Sequence, residues 1–209
     1  MTLEKYWDAM LKDNLSSIRF SKIMTKKRSK SMKGFAYERY FCKKLSLWWS
    51  ENERDDIFWR TSNSGGRASR RSKQGLQTEG QFGDVTATSA IGIPLMRVVT
   101  IELKRGYAGT TIQDLIDKTS GKESQFSKWI NQAQKSADDA NSLYWLLVTR
   151  RNRRQAIIWF PWNRHFDTIN NGYFYFKENL IGFMLFDDWF TESNLQRIKQ
   201  LISNEGLMT

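Results

Sequence analysis

The chain of 209 residues carries 33 lysines and arginines against 22 acids, giving a formal charge of +11 and a pI near 9.8. That length holds one domain with a proper core plus extensions, and that charge favours a polyanionic partner. Cys42 is the single cysteine and His165 the single histidine, which excludes an internal disulfide framework, fits a reducing compartment and argues against a Cys/His zinc site. No Gly-x-x-x-x-Gly-Lys-Ser/Thr run is present, which argues against an ATP-driven motor. The first twenty residues hold Glu4, Asp8 and Asp13 with no long apolar run, so no signal peptide is expected. The apolar runs at 143–148 and 157–162 are too short to span a bilayer, and a cytoplasmic protein is the expectation.

In chain order, Leu3, Trp7, Met10 and Leu11 predict a short amphipathic helix. Lys22, Lys26, Lys27, Arg28, Lys30 and Lys33 follow with no acid among them, as a solvated arm or a phosphate-contacting one. Residues 1–33 therefore read as a basic N-terminal helix and arm, and 34–209 as a single domain. A strong helix is predicted from Phe35 to about Trp49, with Tyr37, Phe41, Leu45 and Trp48 as its apolar stripe. Glu38 lies beside that stripe, either paired with a neighbouring cation or turned toward a metal.

A polar loop leads to a short strand, 57–60, ending in Arg60. The segment holding Ser62, Ser64, Gly65 and Gly66, then Arg67, Arg70, Arg71 and Lys73, is a loop whose amides and cations suit phosphate, or else a flexible surface loop. A helix from about Ser124 to Ala140 buries Phe126, Trp129, Ile130, Ala133, Ala137 and Ala140. A buried strand follows at 143–149, then a basic turn carrying Arg151 and Arg153, and a partner strand at 155–160. Two aromatic strands, 173–176 and 182–186, precede a last helix from about Asp187 to Ile202.

The chemistry concentrates between Gly83 and Lys104. A strand begins at Asp84, Gly92 and Pro94 mark a turn, and a second strand runs from Arg97 to Lys104. On that strand Val99, Ile101 and Leu103 point one way, and Thr100, Glu102 and Lys104 the other. Two carboxylates meeting there are costly without a cation; a hard divalent ion would neutralise them, and the lysine would hold or activate a water.

The order Glu38 on a helix, a strand, the Ser/Gly loop, Asp84, then Glu102-Leu103-Lys104 resembles the PD-(D/E)XK nuclease superfamily. More narrowly it is similar to the archaeal-type Holliday junction resolvases and their phage-encoded relatives. Lys33, Gly34, Glu38, Arg39, Leu45, Arg60, 62–66, Asp84 and 102–104 carry the resemblance, which covers about 33–105.

It implies an α/β fold with a restriction-endonuclease-like core, a central mixed β-sheet flanked by helices. It also implies a metal-dependent DNA endonuclease, using Mg2+ with Mn2+ able to substitute, that acts on branched DNA as a homodimer. Glu38, Asp84, Glu102 and Lys104 would be catalytic. Asp84, Glu102 and the Leu103 carbonyl would hold the metal, with Glu38 joining directly or through a metal-bound water. Arg60, Ser62, Ser64, Arg67, Arg70, Arg71, Lys73, Lys26, Lys27, Arg28, Arg151 and Arg153 would contact DNA. Two features depart from the pattern: Gly83 stands where the superfamily name has proline, and the loop 66–82 is long. The rival readings are a sequence-specific restriction-type endonuclease and a non-catalytic basic DNA-binding protein.

Overall fold

A computed structural model describes residues 30–61, 82–107, 109–115, 123–162, 171–176 and 179–206. The helix expected at Leu3, the arm cations Lys26, Lys27 and Arg28, the loop residues Ser62, Ser64, Arg67, Arg70, Arg71 and Lys73, and His165 lie outside the described residues.

Helix α1 runs Lys30–Trp49. It begins before the expected Phe35 because lysine and methionine are good helix formers, and Gly34 costs only about 1 kcal/mol. Tyr37, Phe41, Leu45 and Trp48 are buried as their spacing predicts, joined by Cys42 and Ser46. The Ser46 hydroxyl donates to the Cys42 carbonyl at 2.8 Å and accepts from the Phe58 N–H at 3.0 Å, which fixes where the next strand enters.

That strand, β1 (Phe58–Arg60), pairs antiparallel with β2 (Val85–Ala87), Arg60 opposite Val85. The segment after β2 departs from expectation. Pro94 does not turn directly into a strand; it sits in the first turn of a short helix, α2 (Ile93–Val98), and β3 starts at Val99 and ends at Arg105. Proline's fixed φ suits that position, and Leu95 and Val98 become buried one turn apart.

Strand β3 opens a five-stranded sheet with β4 (Tyr144–Arg150), β5 (Ala156–Pro161), β7 (Asn179–Leu185) and β6 (Asn171–Phe176), in the order β3-β4-β5-β7-β6. β3 and β4 are parallel and the remaining pairs antiparallel, so the sheet is mixed. The crossover between the parallel strands contains α3 (Gln125–Ala140). Ser124 caps it by accepting from the Ser127 N–H, and Asn141 ends it at φ 52°.

One face of the sheet packs Val99, Ile101, Leu103, Val148 and Ile158 against α1, α2 and the C-terminal helices. The other packs Leu147 and Trp159 against Phe126, Trp129, Ile130 and Ala133 of α3. The last helix is not continuous from Asp187. A short α4 (Phe186–Trp189) breaks at Phe190, and α5 (Glu192–Asn204) restarts where the Thr191 hydroxyl accepts from the Asn194 N–H. An N-cap at Thr191 satisfies an amide that a continuous helix would have satisfied internally.

Candidate active site

Gly83 sets the position of Asp84. Its φ of +74° is a conformation proline cannot adopt, and a Cβ there would lie 2.5 Å from the Ile101 carbonyl oxygen. The departure from proline therefore follows from the local backbone. The Thr61 hydroxyl donates to the Gly83 carbonyl at 2.9 Å, and the Thr61 N–H to the Asp84 carbonyl at 3.1 Å, holding the bend from both sides.

Asp84 then docks onto the open edge of β3. Its N–H donates to the Ile101 carbonyl at 2.7 Å, and its Oδ2 accepts from the Leu103 N–H at 2.8 Å. By the alternation of the strand, the Leu103 carbonyl emerges on this same edge. Burial, and then the charge of Glu102, push the Asp84 carboxyl up to about 7 against the opposing effects of Lys104 and the Leu103 N–H. It is 8% exposed.

Glu102 projects from the α3 face, as the strand alternation predicts, and is 3% exposed. Its Oε2 accepts from Lys104 Nζ and from Gln132 Nε2, both at 2.9 Å, and its Oε1 from the Ser136 hydroxyl at 3.0 Å. Burial works against the Lys104 charge, but Glu102 and Asp84 outweigh it and hold the ammonium above its usual range. Gln132 and Ser136 were not foreseen from the sequence. Their signal was present: two polar residues four apart on α3, flanking the apolar Trp129, Ala133 and Ala137.

Glu38 accepts from Arg60 Nε at 2.8 Å, and the Arg60 guanidinium lies 4.1 Å from the centre of the Phe35 ring. The pairing with a neighbouring cation is thus the one present. Arg60, expected at DNA, is shared between an acid and a ring. Among the described residues no group of three or more Asp, Glu, His or Cys side chains could hold a metal ion. The donors that do converge are Asp84, Glu102 and the β3 edge. Two buried carboxylates, one with its proton held to about 7 by burial and its acidic neighbour, plus one backbone carbonyl, fit a hard cation that keeps part of its water shell. Arg151 and Arg153 are exposed on the β4–β5 turn, and Arg105 and Arg150 face each other across the parallel pair one residue beyond Lys104.

No helix of the described residues is long and apolar enough to cross a membrane. No curated protein matches the chain, and no solved structure does. A family model described as "Phage putative PDDEXK endonuclease" matches residues 29–200, well beyond the 33–105 over which the motifs are legible. With Asp84 and the 102–104 motif joined across one strand edge inside that match, the chain belongs to the phage PDDEXK endonuclease family.

Proposed function

We propose that this nuclease is a divalent-metal-dependent DNA endonuclease selective for branched DNA, resembling a Holliday junction resolvase and acting in the cytoplasm as a homodimer. The observation that carries the catalytic part is the buried pair Asp84 and Glu102, tied to one strand through the Leu103 N–H, with Lys104 bonded to Glu102. Branch selectivity rests on the resemblance in the 33–105 motifs, and residues 1–33 serve as a basic arm on a single domain, 34–209.

Asp84, Glu102 and the Leu103 carbonyl would hold Mg2+ or Mn2+, which would supply Lewis-acid polarisation of the scissile phosphate and a more acidic water. The chain's own work is orientation. The Leu103 N–H fixes one Asp84 oxygen, and three donors fix both Glu102 oxygens, so neither carboxylate has to reorganise during the reaction. Lys104, bonded to Glu102 at 2.9 Å, orients or activates the attacking water. Glu38 acts through Arg60, steadying a cation toward the DNA backbone. Arg151 and Arg153, together with the arm's Lys26, Lys27 and Arg28 and the loop's Ser62, Ser64, Arg67, Arg70, Arg71 and Lys73, contact the DNA strands.

The test is cleavage of a labelled four-way junction and a matched linear duplex, with magnesium, manganese or chelator, by the wild type and Glu102→Ala. Metal-dependent paired nicks near the branch, absent in the variant, are expected. Cutting of linear duplex at fixed sites would replace branch selectivity with sequence selectivity. Tight binding without cutting under any divalent metal would overturn the catalytic reading.

A further inference from the structure

A cleft of about 290 Å³ opens directly beside Lys104, between the C-terminal ends of β3 and β4 and the start of α3. Its lining includes four aromatic rings and three cationic residues. Tyr107 stands edge-on to Trp129 with ring centres 4.7 Å apart, and Phe126 edge-on to Trp159 at 4.8 Å. Trp159 Nε1 donates to the Thr149 hydroxyl at 2.8 Å, so the rear wall is held in place. Lys104, Arg150 and Arg151 also line the cleft. Tyr107 is 48% exposed, a large ring left open to solvent where it could have been buried against its neighbours.

We infer that this cleft receives one unpaired nucleotide of the DNA strand being cut, its base stacked on the exposed Tyr107 ring with Trp129 edge-on behind it, and its phosphate against Arg151. The volume is near the lower limit of small-molecule pockets, about 300–1,000 Å³, and suits one nucleotide rather than an extended ligand. A planar, apolar occupant with a negative edge matches aromatic walls and a cationic rim. Lys104 belongs both to the cleft and to the acid cluster, so the occupant lies within one side chain of Glu102. The inference deepens the nuclease reading and rests on it for the identity of the strand. It also bears on branch selectivity, since a base costs least to free where stacking or pairing is already interrupted.

The experiment measures binding by the full chain in chelator, using a labelled duplex with a short single-stranded tail and the same duplex fully paired. Stacking of one base is worth about 1–3 kcal/mol, or about 5- to 140-fold in affinity. Tyr107→Ala should weaken binding of the tailed DNA within that range and leave the paired duplex unchanged, while Tyr107→Phe restores tailed binding. Equal effects of Tyr107→Ala on both DNAs, or no effect on either, would overturn the inference. So would competition by a free mononucleotide as effective as the tail, which would make the occupant a soluble nucleotide. Because the readout needs neither metal nor cutting, it separates the two readings. A wild type that binds the tail through Tyr107 but cuts no DNA with any divalent metal loses the nuclease reading and keeps the cleft. One that cuts with metal, while Tyr107→Ala binds as the wild type does, loses the cleft alone.

Discussion

Replacing Asp84 with asparagine should stabilise the metal-free protein while abolishing cleavage. The carboxyl ordinarily titrates at 3.8, and in the fold burial and then Glu102 raise it to about 7. Below 3.8 both the folded and unfolded chains hold the proton, and Asp84 costs the fold nothing. Between 3.8 and about 7 only the folded chain holds it, so stability falls as pH rises; above about 7 the loss is complete. At about 1.4 kcal/mol per pH unit the full loss is about 4 kcal/mol, a large share of the roughly 5–15 kcal/mol that holds a domain together. The amide of Asp84→Asn would keep an oxygen for the Leu103 N–H but give up the attraction to Lys104, so a net gain of about 2 kcal/mol or more is expected at pH 8. Urea unfolding of wild type and Asp84→Asn in chelator at pH 8 and pH 4.5 measures it. At the lower pH the gain should shrink to about 1 kcal/mol or less. An Asp84→Asn protein less stable than wild type at pH 8, or an advantage independent of pH, would refute the reasoning.

Gly83→Ala places a methyl group 2.5 Å from the Ile101 oxygen at a positive φ, so a loss of about 2 kcal/mol or more in urea unfolding, together with loss of cleavage, is expected. Ser136→Ala removes one of the donors to Glu102 and should slow cleavage about 10- to 100-fold with the circular dichroism spectrum unchanged, the range typical of groups that orient metal ligands. Tyr37 is buried and its hydroxyl finds no hydrogen-bond partner among the described residues, so Tyr37→Phe should leave thermal stability unchanged or raise it by about 1–3 kcal/mol. Cys42 is buried and its thiol is pushed up to about 12, by burial and then by Glu38, so alkylation at pH 8 should proceed only at the rate of unfolding.

What the sequence made legible was local and periodic. The alternation along β3 put Glu102 and Lys104 on one face and Ile101 and Leu103 on the other, and they stand so. The stripes of α1 and α3 were readable for the same reason: burial on one face leaves a repeat that survives in a single chain. Contacts between distant segments leave no such repeat. Gln132 and Ser136 reach Glu102 from 30 and 34 residues away, and nothing near Glu102 announces them. The break at Phe190 depends on Thr191 capping a new helix, which competes with a continuous amphipathic pattern on nearly equal terms. The motifs ran out near residue 105 while the family match runs to 200.

The placement of the acids follows from the sheet itself. Among the described residues β3 is an edge strand, paired with β4 as its one strand neighbour, and an uncovered edge exposes amides and carbonyls that invite wrong pairing. Here Asp84 covers that edge with its own N–H on Ile101 and its side chain on the Leu103 N–H. The contacts that protect the strand are the same ones that bring a carboxylate beside Glu102, so the cost of gathering the acids falls on a position the fold already needs filled. An amide at 84 can still cover the edge but cannot supply the charge, which is why stability and cleavage should move in opposite directions there and together at Gly83.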